Sequence, residues 1–526
     1  MKKTLIIAAL FAITIGLGSC KKDIELTPTT GVTVDGYFKS QNDITASLAG
    51  IYSGFQEEMV GDGSGKDEGY GGRYHYWGEA RSDNFTASTY ATYSVVEMAT
   101  NTMEFANSAA DWGGLYRVIS RCNLGIQYYP QVPAFDPNVT PTILNNSLAQ
   151  AYAMRAESYF YIVRVWGDAP LWTTPYLDIT QSALKPKTQA QTLVDSLIIP
   201  DLTKAYSLIQ KNQTPVIWNI NEAAICAIMA DVYMWRAGMT GGSPSTDYAN
   251  AISWYTKLFA AKNAVTGTYS GTSGANLETQ ANWKNVFITP ANSIEPIWSI
   301  YWDYTVNGCA CIPVSVQLSN NPMQMDAGFQ AKWKAAYKTD IRVAKTIDTL
   351  NTLNHINLLY KYLNLTPTST GITPVAGNLN YNVYLTMYRL GDVYLSLAEA
   401  YAQTGDLVDA LKYLNYVYLR ARTGTAAVAI PATAYTTPTA MEDAILQERQ
   451  YELYGEGKRW FDLVRTGRVH QVMDPILNQR NGTVDPITHI LTPGTLGFIG
   501  APNRYLSPVS QSALNANSLL VQNPGY

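Results

Sequence analysis

Glu448, Arg449, Glu452, Arg459, Trp460, Asp462 and Arg465 crowd into one string near the C-terminus. Carboxylates beside guanidinium groups can do acid–base chemistry, or they can hold one another in place. On a helix, Glu448, Arg449 and Glu452 stand at i, i+1 and i+4, within reach of the later arginines. That spacing favours charge pairs that tie helix ends to loops, and Arg155 with Glu157 reads the same way. Glycoside hydrolysis would need two carboxylates roughly 5–10 Å apart across a cleft. With 41 Asp and Glu residues such a pair can always be found, so the sequence singles none out. There is no Gly-x-Ser-x-Gly elbow in a strand–turn–helix setting, and four His leave little room for a histidine site. Gly61–Gly72 fails as a phosphate loop because Asp67 follows Lys66 where Ser or Thr is needed. Asp62, Ser64, Asp67 and Glu68 lack the spacing of a calcium loop. Cys309-Ala310-Cys311 has no further metal ligand nearby and reads as two free thiols on a strand. The expectation is no catalytic residue, no metal site and no cofactor.

The aromatics carry a positive signal. The chain has 37 Tyr and 12 Trp. A sugar ring offers an apolar C–H face and a rim of hydroxyls. Tyr and Trp offer a flat apolar surface, few rotamers to freeze, and an O–H or N–H at the edge. Tyr152, Tyr159, Tyr233 and Tyr394 recur at helical spacing and read as core, as does Trp112 beside Leu115 and Tyr116. Loop aromatics are the better candidates. One patch is Tyr301-Trp302-Asp303-Tyr304, with Trp283 before it. On a strand, Trp302 and Tyr304 face one side and Tyr301 the other. Trp298 and Ile300 share the Trp302 face, so part of this patch is expected to be buried.

These residues need a scaffold. The chain has 526 residues, of which 47% are apolar and only 15% charged, with net charge −4. That balance argues against a nucleic-acid binder and against electrostatic docking on anionic lipid. Apolar spacings of three and four predict helices over 147–166, 189–211, 221–238, 247–262, 388–404, 407–421 and 438–454. Several form pairs around a short Gly turn, Gly405-Asp406 with Ala410 being the clearest. This is a tetratricopeptide-like pattern, interrupted rather than contiguous. The fold class expected is mainly α: a tetratricopeptide-like helix–turn–helix scaffold with large irregular loop-rich insertions and short strands. Helices occupy about 147–262 and 387–454. Loop-rich, candidate ligand-binding regions occupy about 61–112 and 264–383, where runs such as 296–302 suggest short strands.

At the N-terminus, Lys2 and Lys3 precede an apolar stretch from Leu5 to Leu17. Such a stretch is a signal-peptide core, too short to span a bilayer. Leu17-Gly18-Ser19-Cys20 resembles a bacterial lipobox. In that reading residues 1–19 are removed, Cys20 is lipidated, and the polar run after it tethers one globule, 20–526, to a membrane it does not cross.

Three further strings look familiar together. One is Arg155-Ala156-Glu157-Ser158-Tyr159-Phe160 running into Val165-Trp166-Gly167-Asp168-Ala169-Pro170-Leu171. Another is Arg389-Leu390-Gly391-Asp392-Val393-Tyr394-Leu395 with Ala398-Glu399-Ala400. The third runs from Glu448 to Leu453 and on through Glu456-Gly457-Lys458-Arg459-Trp460-Phe461-Asp462-Leu463 to Arg468. With the lipobox and the closing Asn523-Pro524-Gly525-Tyr526, the chain from Cys20 onward resembles the SusD/RagB family of surface lipoproteins. Asp392 stands where that family more often has Glu. The resemblance implies a non-catalytic protein, lipid-anchored on the cell-surface side of the outer membrane. It would capture an oligosaccharide, or in some members a peptide, and pass it to a SusC-like TonB-dependent barrel. It also implies that the segment after Ser82-Asp83 lines the ligand site: here Asn84, Phe85, Tyr90 and Tyr93, without a Trp, and with Arg73 upstream. The ligand-binding set expected is therefore Arg73, Asn84, Phe85, Tyr90, Tyr93, Trp283, Tyr301, Trp302 and Tyr304. An oligopeptide ligand is the first alternative, a surface glycoside hydrolase the second, and a protein-interaction scaffold the third.

Overall fold

The computed structural model describes residues 34–61, 72–269, 276–307, 321–336, 339–346, 359–362, 367–368, 371–372, 383–484, 491–492 and 504–526. The expected signal segment 1–19, Cys20, residues 62–71 and Cys309-Ala310-Cys311 lie outside them.

Helices dominate. Among them are α1 Gln41–Val60, α2 Arg73–Gly78, α3 Tyr93–Ala99, α4 Gly113–Tyr128, α5 Pro141–Trp166, α6 Ile199–Leu208, α7 Glu222–Ala237, α8 Pro244–Ala260, α9 Leu390–Gln403, α10 Leu407–Ala421, α11 Pro438–Glu452, α12 Arg459–Arg465 and α13 Val469–Arg480. Their starts follow from capping chemistry. The Ser40 hydroxyl accepts the Asp43 amide while the Asp43 carboxylate accepts the Ser40 amide, a full capping box ahead of α1. Thr140 with Pro141 opens α5, Asn221 opens α7, Asp406 opens α10, and Thr437 with Pro438 opens α11. Gly167, at φ 75°, ends α5 in a conformation that only glycine adopts readily.

α5 is buried around nearly its whole circumference from Ser147 onward, because α1, α4, α6 and α7 all pack on it. Helices α7 and α8 form one hairpin and α9 and α10 another; α8 packs on α9, and α11 closes over α9 and α10. The observed α10 has the predicted bounds. The 189–211 segment is less regular than expected: a helical turn and a π turn precede α6.

The strands are short and paired in twos. β1 Phe85–Ala87 pairs antiparallel with β3 Met323–Met325, and β2 Pro296–Ile300 pairs antiparallel with β4 Leu385–Arg389. Both faces of β2 and β4 are buried. Alternation along this run therefore does not separate a wet face from a dry one.

The charged string is structural and deep. Arg342 binds Asp340 at 2.8 Å, Glu448 at 2.7 Å and Glu452 at 2.9 Å. Arg389, on β4, binds Glu452 at 2.7 Å, Glu456 at 2.8 Å and Glu295 at 3.1 Å. Arg449 joins Asp392 and Asp462, both at 2.8 Å, and Arg459 reaches Asp83 at 2.8 Å. Arg155 clamps Asp201 through two nitrogens at 2.7 and 2.8 Å. Asp392 is thus shorter than the usual Glu yet still paired, with Lys458 on its other oxygen at 3.2 Å. A charge removed from water is costly unless partnered, so these pairs fix one arrangement of helices, turn 453–458 and strand rather than offering reactive groups.

Candidate functional site

Five of the nine expected ligand-binding residues are core residues. Trp283 is fully buried, with its ring edge-on to Phe287 at 5.2 Å. Trp302 is 1% exposed. Phe85 is stacked on Tyr454 at 4.7 Å. Asn84 donates to Glu79 at 2.8 Å and accepts from Gln450 at 3.0 Å. Arg73 is buried against Glu58 and beside the Ser108 carbonyl. None of the five has a face left for a ligand. For Trp302 the physical reason is that a residue beyond a strand's end is placed by the local packing and not by the strand's alternation. β2 stops at Ile300, and Tyr304 opens a one-turn helix, Tyr304–Asn307, instead of continuing the strand. The pairing of Trp302 with Tyr304 on one strand face is accordingly corrected.

Three of the nine are open to solvent: Tyr90, Tyr93 and Tyr301, at 51, 79 and 46% exposure. Tyr90 and Tyr93 follow β1, and Ser88 fixes their loop by donating its amide to the Pro322 carbonyl at 2.9 Å. No aromatic contact joins them to Tyr301. Tyr301 instead meets two residues from distant parts of the chain. The Trp218 ring stands edge-on to it at 5.1 Å, and Tyr384 lies 6.1 Å from Tyr301 and 5.2 Å from Trp218. Trp218 and Tyr384 are both half-buried.

Trp218 and Tyr301 of this cluster line an open cleft of about 680 Å³. One wall is α1, whose Ala49, Tyr52, Ser53 and Gln56 share a helix face. A second wall is the connection from α6 to α7, carrying Val216, Trp218 and Asn219. A third is the segment after β2, carrying Tyr301, Asp303, Val306 and Asn307. The floor is Phe55 stacked on Trp298 at 5.8 Å. The second wall is pinned to β2: the Ser299 amide donates to the Ile217 carbonyl at 2.8 Å, and Asn221 Nδ2 donates to the Ile297 carbonyl at 3.0 Å. Tyr52 adds a third tie, accepting the Ile220 amide at 2.8 Å. On the opposite side Gln56 donates to the Tyr301 carbonyl and accepts from Asn307 at 3.4 Å. The platform is held by hydrogen bonds on both flanks, which lowers the entropy cost of presenting it.

The polar groups at the rim include Ser53, Gln56, Asn219, Asp303 and Asn307. Asp303 Oδ1 accepts the Thr305 amide at 2.9 Å and its hydroxyl at 2.6 Å. Those bonds hold its carboxyl below the usual range, so it is anionic at neutral pH. A rigid aromatic surface with amides and one carboxylate around it can stack a ring and bond its hydroxyls. Among the described residues, no three His, Cys, Asp or Glu side chains gather as a metal ion would need.

Sequence reasoning missed Trp218, Tyr384, Tyr52 and Gln56. Trp218 carried a usable signal: it sits off any helix, after Pro215, in a stretch without periodicity. Gln56 carried none, because only the packing of α1 brings it to Tyr301.

The fold has solved counterparts. It matches that of a SusD homolog of Bacteroides thetaiotaomicron at a TM-score of 0.72 and 18% identity, over 94% of this chain and 98% of that one. A SusD superfamily protein of Bacteroides vulgatus matches at 0.67 and 17% identity, over 93 and 100% of the two chains. Residues 344–526 match the SusD family, and residues 39–234 match a family described as starch-binding and associating with the outer membrane. The SusD-like protein P38 of Formosa agariphila is 26% identical, over 90% of this chain and 94% of that protein. SusD-like protein P25 of the same organism is 23% identical over 87 and 89%. The chain belongs to the SusD/RagB family.

Proposed function

We propose that this protein is a non-catalytic, cell-surface glycan-binding lipoprotein that captures an oligosaccharide in the Trp218–Tyr301–Tyr384 cleft. The observation that carries this reading is the convergence of three aromatics from distant segments onto one open, braced platform with an amide-rich rim. The names of the matched families and relatives support the class of ligand and the outer-membrane setting. Lipidation of Cys20 would hold the protein at the outer membrane, and the captured glycan would pass to a TonB-dependent barrel beneath it. Among the described residues, no helix is long and apolar enough to cross a membrane. Tyr90 and Tyr93 remain proposed as an outlying contact.

Two observations weigh against the alternatives. The peptide reading drew on a missing Trp after Ser82-Asp83, and Trp218 supplies one from elsewhere in the fold. Hydrolysis uses a pair of carboxylates flanking the bond, and the described lining of the cleft carries one, Asp303. The test is calorimetry of the purified protein against oligosaccharides and mixed peptides, with product analysis. Binding of a glycan without cleavage, lost in Trp218→Ala and Tyr301→Ala, is the expected result. Cleavage, or a response to peptides alone, would overturn the proposal.

A further inference from the structure

We infer that the cleft selects uncharged glycans and turns away glycans bearing carboxylate or sulfate groups, an inference that rests on reading the cleft as the glycan site. Recognition of an anionic sugar calls for a cation, most often an Arg fork or a Lys ammonium, at the platform. The described lining has neither, and its one charged side chain is Asp303.

The sequence on either side extends the pattern. From Tyr304 to Met325 there is no charged residue, and there is none from Tyr362 to Tyr388. The segments that lead out of the third wall and into Tyr384 therefore have no cation to contribute. Among the described residues, two cations on the neighbouring elements are engaged elsewhere. Arg121 donates to the Gly50 carbonyl of α1. Lys211 lies over the Tyr206 ring at 3.7 Å and donates to the Ile209 carbonyl at 3.1 Å. Glu57, exposed one turn beyond Ser53 on α1, adds to the negative side.

Asp303 cannot simply swing out of the way, because the Thr305 amide and hydroxyl both hold its Oδ1. An anion stacked on Tyr301 would face this carboxylate within the roughly 8 Å over which physiological salt leaves charges unscreened. A hydroxyl in the same place meets useful partners: Asp303 and the carbonyls of Gln56 and Asn307 accept, and the amide groups donate. The chemistry that repels an acid is the chemistry that binds a neutral polyol.

The probe is a matched pair. A neutral oligosaccharide that binds the purified protein is taken from a panel of hexose and pentose oligosaccharides. The same chain is then oxidised at its primary hydroxyls to carboxylates, or, for a pentose chain, sulfated. At low salt the anionic form should bind at least about tenfold more weakly than its parent, as like charges brought together at an interface require. High salt and Asp303→Asn should each narrow that gap, since Asn keeps the bond from the Thr305 amide while removing the charge. An equal affinity for both forms, tighter binding of the anionic form, or a gap unchanged in Asp303→Asn would overturn the inference while leaving a glycan site in place. Silence toward every glycan would strike the glycan reading itself, and this inference with it.

Discussion

At the scale of single residues, burial divides aromatics that look alike in the sequence. Trp218 and Trp302 both lie in loops, yet one is half-open and the other is 1% exposed. Trp302→Ala should therefore cost stability, about 3–5 kcal/mol as for other buried Trp truncations, as read from the urea midpoint. Trp218→Ala should leave that midpoint nearly unchanged and weaken glycan binding by about ten- to a hundredfold, as loss of an aromatic hot spot does. Glu157 makes a second residue-scale case. Burial pushes its carboxyl up to about 7 from 4.5, more than Arg164 beside it lowers it, and Asp231 adds to the rise. An acid held above its unfolded value favours folding most when protonated. Its contribution is complete below about 4.5 and is lost as pH rises through about 7. Glu157→Gln cannot ionise, so across that window the wild type should lose stability relative to the variant. Urea titrations at pH 5 and pH 8 would show the crossing, and parallel curves would refute it.

At the scale of elements, the site depends on how one connection is tied down. Asn221 caps α7 through the Ala224 amide at 3.0 Å and also grips the Ile297 carbonyl of β2 at 3.0 Å. Asn221→Ala should cost about 1 kcal/mol for the lost cap and should also weaken ligand binding, because the Trp218 connection loses one of its ties. A second close fit joins α2 to the turn after α11. A Cβ on Gly78 would lie 2.1 Å from the Gly457 carbonyl oxygen. Gly78→Ala must push two backbones apart, and a loss of about 1–3 kcal/mol is expected from thermal or chemical unfolding.

At the scale of the whole molecule, Arg389 links segments remote in sequence: Glu295 ahead of β2, Glu452 at the end of α11 and Glu456 in the following turn. Its replacement by Met would leave three carboxylates buried without their shared partner. A loss of about 3–5 kcal/mol is expected, whereas breaking the surface pair of Lys412 and Asp409 should cost under about 1 kcal/mol. Denaturation of both variants side by side checks the contrast.

The amino-acid order by itself determined the helices, because apolar spacing, caps and terminating glycines act within a few residues of one another; α10 matches its predicted bounds for that reason. It also determined that the charged string is structural, since its residues alternate in sign at helical reach, and it determined the family, whose motifs are continuous strings. Of the residues around the proposed cleft, the sequence names only Tyr301 as a ligand contact. Tertiary structure decided the rest. Whether an aromatic offers a ring face depends on what long-range packing leaves uncovered, and β2 is covered on both sides by segments that no local pattern announces. The platform exists because α1, the connection before α7 and the strand pair of β2 with β4 converge on one point, and such convergence is a property of the folded chain and not of any stretch of it.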